Sequence, residues 1–177
     1  MSSIYLYVEV FRLLVFAGFL IVAAYGDLLK GRIANNLVLF GLISALLLNT
    51  LVYGLSLPLG FFGVCLGVFA GAAPFMVFYL FGMALKKPLM GAGDVKLMGS
   101  IGAFSGLEGA LMSIYYALVI AFFAALAVII VQLVRRKPVP ATLPFGSMLA
   151  AGALVAFVLH LPKFSNIVEM FRLSFNV

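Results

Sequence analysis

The chain has 177 residues, of which 66% are hydrophobic and only 9% charged, and its mean hydropathy of +1.30 lies far outside the range of soluble globular domains. This excludes a water-soluble enzyme or binding module and predicts an all-α, polytopic membrane bundle of about six transmembrane helices of about 20 residues each. The formal charge of +6 resides in short loops rather than on a folded basic face, which argues against nucleic acid as a partner and for membrane topology.

The first span runs from about Tyr5 to Asp27, with Glu9 and Arg12 at i,i+3 spacing able to pair near its outer end. No Lys or Arg precedes Arg12, and Glu9 interrupts the early apolar run, so this segment reads as a retained helix rather than a signal peptide. A polar stretch with Lys30, Gly31, Arg32, Asn35 and Asn36 leads into the second span, about Asn35 to Ser56. The third span, about Leu59 to Leu85, is closed by Lys86-Lys87-Pro88. Gly63, Gly67 and Gly71 repeat on one of its faces, a pattern that lets another helix approach closely. Cys65, the single cysteine, lies in the same span and excludes an internal disulfide or a multi-cysteine zinc site.

The fourth span begins near Asp94 and must stop by Ser105-Gly106. It is about 18 to 22 Å long at about 1.5 Å per residue, too short to cross a bilayer comfortably. A start recessed below the membrane surface resolves this and places Asp94 in a cavity lined by protein. The fifth span, about Leu107 to Val134, ends at Arg135-Arg136-Lys137-Pro138, and the sixth covers about Thr142 to Leu161. The tail 162–177 carries Phe164, Ile167, Val168 and Phe171 at near-helical spacing and reads as an interfacial helix attached to one membrane domain, 1–177.

Lys30, Arg32, Lys86, Lys87, Lys96, Arg135, Arg136 and Lys137, most of the 11 basic residues, fall in the connections after spans one, three and five. The positive-inside rule then puts those loops in the cytoplasm and both termini outside. Asp27 and Asp94, the only aspartates, end up on the cytoplasmic side together.

An ionised carboxylate near hydrocarbon costs about 2.5 to 3.5 kcal/mol on insertion scales, so such groups usually face a bundle interior or a wet cavity. Asp94 follows Gly91-Ala92-Gly93, where the glycines let the backbone bend and approach a peptide closely. Two carboxylates facing one site cannot both ionise easily and share a proton, so one accepts a proton from water while the other donates to the scissile carbonyl. That chemistry needs no metal, cofactor or covalent intermediate. The competing structural reading makes Asp94 the N-cap of span four. Competing functional readings are a small transporter or ion-binding protein that uses the two acids, and a noncatalytic subunit of an assembly complex.

The segment Gly91-Ala92-Gly93-Asp94-Val95-Lys96-Leu97, followed by Gly99 and Ile101-Gly102-Ala103, resembles the type IV prepilin peptidases, membrane aspartyl proteases of the GxGD type. Asp27 followed by Arg32-Ile33-Ala34-Asn35, and Leu143-Pro144-Phe145-Gly146, are similar to two further segments of that family. The family usually has proline where this chain has Ala34, and a second proline where it has Ser147. The resemblance implies the GxGD protease fold with Asp27 and Asp94 as the catalytic pair. Gly91, Gly93, Lys96, Arg32, Asn35, Pro144, Phe145 and Gly146 then support the site or bind substrate.

The implied substrate is a prepilin, its basic leader cut just before an apolar helix at the cytoplasmic face of a bacterial inner membrane. Another GxGD protease substrate is the nearest alternative. Longer members carry paired CxxC motifs and a methyltransferase activity. With one cysteine the chain resembles the short form associated with Flp, or tight-adherence, pili, and no methylation is expected.

Overall fold

A computed structural model describes residues 2–86, 90–136 and 144–160. Lys87, Pro88, Lys137, Pro138, the start of the sixth span at Thr142, Leu143 and the tail 162–177 lie outside the described residues. Among the described residues all the elements are helices: α1 (Ser2–Lys30), α2 (Asn35–Tyr53), α3 (Phe61–Ala84), α4 (Ala92–Arg135) and α5 (Phe145–Leu159). The first four are long and apolar enough to cross a membrane, and α5 is shorter.

Five elements supply six helical segments because α4 is interrupted. Gly106 adopts φ 67° and ψ −170°, a backbone conformation that L side chains avoid and that ends one helix and starts another. The short arm, 92–105, is about 21 Å long at about 1.5 Å per residue, matching the length expected of the fourth span. The long arm, 107–135, is the fifth.

Polar groups of α1 and α2 meet the end of the short arm. The last carbonyls of a helix lack partners within it and carry negative partial charge. Arg12 Nη1 donates to the Phe104 carbonyl at 3.0 Å, and Asn49 Nδ2 donates to the Ala103 carbonyl at 2.7 Å. Arg12 in turn holds Glu9 through two bonds, Nη2 to Oε1 at 2.7 Å and Nε to Oε2 at 2.8 Å, while the Tyr53 hydroxyl donates to Glu9 at 2.9 Å. Glu9, Arg12 and Asn49 are completely buried. The i,i+3 pair expected in span one therefore forms, and it also fastens α1 and α2 to the point where α4 breaks.

Around this network the core is apolar and aromatic. Phe16 of α1 lies with its ring centroid 5.0 Å from that of Phe104, and Phe19 follows at 6.0 Å. Leu97, Met98 and Ile101 of the short arm are fully buried. The arm is the axis of the bundle, with α4 packing on α2, α3 and α5, and α1 packing on α2 and α5.

The glycine face of α3 packs where the sequence predicts. A Cβ on Gly67 would strike the Gly102 carbonyl, and one on Gly71 the Met98 carbonyl, so α3 and the short arm run antiparallel at backbone contact. Gly67→Val is expected to destabilise the protein by about 3 kcal/mol or more, the upper end for overpacking, because backbone cannot move aside as a side chain can. Thermal unfolding in detergent checks this. Gly18→Val, where a Cβ meets nothing within 4 Å, is the control expected to leave the transition unchanged.

Candidate active site

Four helix termini meet at one end of the bundle. α1 ends there because Gly31, at φ 60°, takes the left-handed position after the last turn and donates its amide to the Asp27 carbonyl at 2.8 Å. This places Asp27 one turn before the end of α1. The connection 31–34 then turns into α2, whose first amides at Leu37 and Val38 bond the Ala34 carbonyl.

Ala34 sits at φ −69° and ψ 130°. That φ is the value a proline ring fixes, so alanine keeps the backbone path that proline would impose. Ala34→Pro is expected to stabilise the protein by about 0.4–1 kcal/mol through loss of unfolded-state freedom, read as a rise in the detergent melting temperature.

At the start of α4 the N-cap is Gly91, with φ −76° and ψ 139°, and not Asp94. Asp94 occupies the third helical position, where its carboxylate reaches back to accept the Gly91 amide. A Cβ on Gly91 would sit 3.3 Å from Asp94 Oδ2, so glycine keeps this approach open. Asp94 is thus not the N-cap expected from residue type; its carboxylate caps the helix from inside the first turn.

The start of α5 completes the arrangement. The Ser147 amide donates to Asp27 Oδ2 at 2.7 Å, and Gly146 lies directly against the carboxylate, where a Cβ would come within 3.0 Å of Asp27 Cγ. Ile33 lies between the two helix starts: Cβ atoms added at Gly93 and Gly146 would come 3.7 Å and 2.9 Å from its side chain. The sequence marks neither Ile33 nor the Ser147 amide as part of the site. Ile33 looks like one more apolar loop residue, and a backbone amide has no sequence signature.

The resulting cavity, about 650 Å³, is lined by Asp27, Arg32, Asn35, Gly91, Gly93, Asp94, Lys96, Pro144 and Phe145, together with Leu28, Gly31, Ile33 and Ala92. Of the residues singled out in the sequence, only Gly146 is absent from its wall; it is buried behind Asp27. Asp27 is 5% exposed and Asp94 is partly exposed, and the two carboxylates feel one another's charge. Lys96 Nζ donates to Asn35 Oδ1 at 3.1 Å, tying the start of α4 to the start of α2. Arg32 is exposed at the rim. Among the described residues no group of three or more His, Cys, Asp or Glu side chains comes together. His160 is at the opposite end of α5, where its Nε2 lies 2.9 Å from the Tyr116 hydroxyl.

Residues 14–133 match the model of the type IV leader peptidase family. The chain belongs to this family. No curated protein and no solved structure matches it. A protease of this family acts on a prepilin in a membrane setting, which fits the apolar helices of this bundle. The matched region contains both aspartates and ends before α5, so the placement of Pro144 and Phe145 in the cavity wall, and of Gly146 and Ser147 against Asp27, is seen in the structure alone.

Proposed function

We propose that this leader peptidase is an aspartic endopeptidase in which Asp27 and Asp94 act as one acid/base pair. It removes the basic leader of Flp-type prepilins at the cytoplasmic face of the inner membrane and does not methylate the product. The observation that carries this reading is the convergence of the only two aspartates of the chain on one cavity. Everything else in the cavity wall is glycine, apolar, amide or cationic, so these two groups are the ones suited to move a proton near neutral pH.

In the reaction, the ionised carboxylate takes a proton from water as the water oxygen attacks the scissile carbonyl carbon. The protonated carboxyl gives its proton to the carbonyl oxygen, and the C–N bond breaks as the leaving amine receives a proton from the pair. Gly91 and Gly93 leave space for the substrate backbone beside Asp94. Arg32 and Lys96 donate to substrate carbonyls at the rim, with Lys96 oriented by Asn35. Because the leader and this rim are both cationic, charge attraction does not select the leader; the apolar helix next to the cut does, entering the bundle from the bilayer.

The support for the cytoplasmic face is the basic-residue count of the loops at this end. The test is mass spectrometry of a Flp-type prepilin co-expressed with the protein. A shortened pilin whose new N-terminus lies just before its apolar helix is the expected result. An intact precursor with normal accumulation of the peptidase would refute the assigned substrate.

A further inference from the structure

We propose that the backbone amide of Ser147 is a positioning group that fixes the Asp27 carboxylate for proton transfer, a role that rests on the acid/base reading above. The torsion that rotates an aspartate carboxyl is broad and roughly two-fold, so packing alone defines the orientation of its oxygens poorly. Here one oxygen, Oδ2, is held by the Ser147 amide at 2.7 Å. The absence of a side chain at Gly146 lets the α5 backbone come this close, since a Cβ there would lie 3.1 Å from the same oxygen.

The amide costs the helix nothing. Ser147 is the third residue of α5, and the first amides of a helix have no carbonyl partner within it. Its hydroxyl is engaged separately, donating to the Pro144 carbonyl at 2.6 Å and closing the start of α5. The two polar groups of one residue thus have two tasks, the hydroxyl shaping the helix start and the amide holding the carboxylate. Both Ser147 and Asp27 are buried, so water competes little for the bond.

This gives the departure at position 147 a consequence. Proline fits the first turn of a helix and carries no N–H, so a chain with proline here cannot make the bond. In this protein serine supplies the donor.

Substitutions at 147 separate the two groups. Leader cleavage of a Flp-type prepilin is measured with purified, lipid-reconstituted wild type, Ser147→Ala and Ser147→Pro. Alanine keeps the amide and removes the hydroxyl, and proline removes both. The expected result for Ser147→Ala, which keeps the amide, is a smaller loss of kcat than for the proline variant. For Ser147→Pro it is a loss of kcat of roughly tenfold or more with KM little changed, since a carboxylate displaced by even a fraction of an ångström loses rate rather than binding.

If the proline variant does not accumulate, the same comparison is made with an ester in place of the 147 peptide bond, introduced as the α-hydroxy acid of serine. This deletes only the N–H. Wild-type kcat in the proline or ester variant would overturn the proposal. So would equal losses in the alanine and proline variants, which would assign the effect to the hydroxyl and the helix start. A wild type that leaves the leader in place overturns the assigned substrate, and with it the reading this role rests on, an outcome distinct from active wild type with an unaffected variant.

Discussion

Asp94→Asn and Asp27→Asn are each expected to lower leader cleavage by about three orders of magnitude or more while leaving the fold intact, the scale of loss when a member of a catalytic unit is removed. Asparagine keeps the shape of the side chain and its acceptor oxygen. The Ser147 amide therefore still has a partner at position 27, and the Gly91 amide still has one at position 94. What is lost is the ability to take up and release a proton. Removing a carboxylate also removes the repulsion between two acids that share a cavity, so the asparagine variants should be at least as stable as wild type. Thermal unfolding of the same preparations used for the cleavage assay checks the two effects together.

Arg12→Leu is expected to have the largest effect on stability, about 3–5 kcal/mol, the usual cost of breaking one half of a buried ion pair. The guanidinium is completely buried and bonds Glu9, Asn49 and the Phe104 carbonyl at once. Its loss leaves the Glu9 carboxylate without its cation and the end of the short arm of α4 without its positive group. Against a total stability of about 5–15 kcal/mol for a typical protein, such a loss should show as low abundance in the membrane. The double variant Glu9→Leu/Arg12→Leu removes both charges and should recover a substantial part of the loss. If the single and double variants melt together at the wild-type temperature, the network is not what holds α1 and α2 to the break in α4.

The course of the helices is legible in the sequence because bilayer thickness and glycine chemistry leave few alternatives. The break at Ser105-Gly106, a close helix approach through Gly67 and Gly71, and the pairing of Glu9 with Arg12 come from spacing alone, whereas the antiparallel partner of that glycine face, the short arm of α4, is seen only in the structure. The arrival of Asp27 and Asp94 at one end follows from counting basic residues by loop, and the structure places both in the wall of one cavity. Asn49 and Tyr53 were invisible because a polar residue within an apolar helix does not reveal its partner, and here the partners are carbonyls exposed by a break in another helix. Asp94 could be taken for an N-cap because the rule concerns residue type near a helix start. Only the backbone angles at Gly91 show the cap to be three residues earlier. The Ser147 amide is hidden for a different reason: the side chain at that position is a hydroxyl, but the group that reaches Asp27 is common to every residue except proline.

In the proposed mechanism Asp27 and Asp94 form one catalytic unit. This is tested most directly by cleavage rates of a Flp-type prepilin by wild type, Asp27→Asn, Asp94→Asn and the double variant, measured at matched membrane abundance. One unit predicts that each single variant loses nearly all activity and that the double variant is no slower than the slower single one. Near wild-type cleavage by either single variant, or losses that multiply in the double variant, would contradict it.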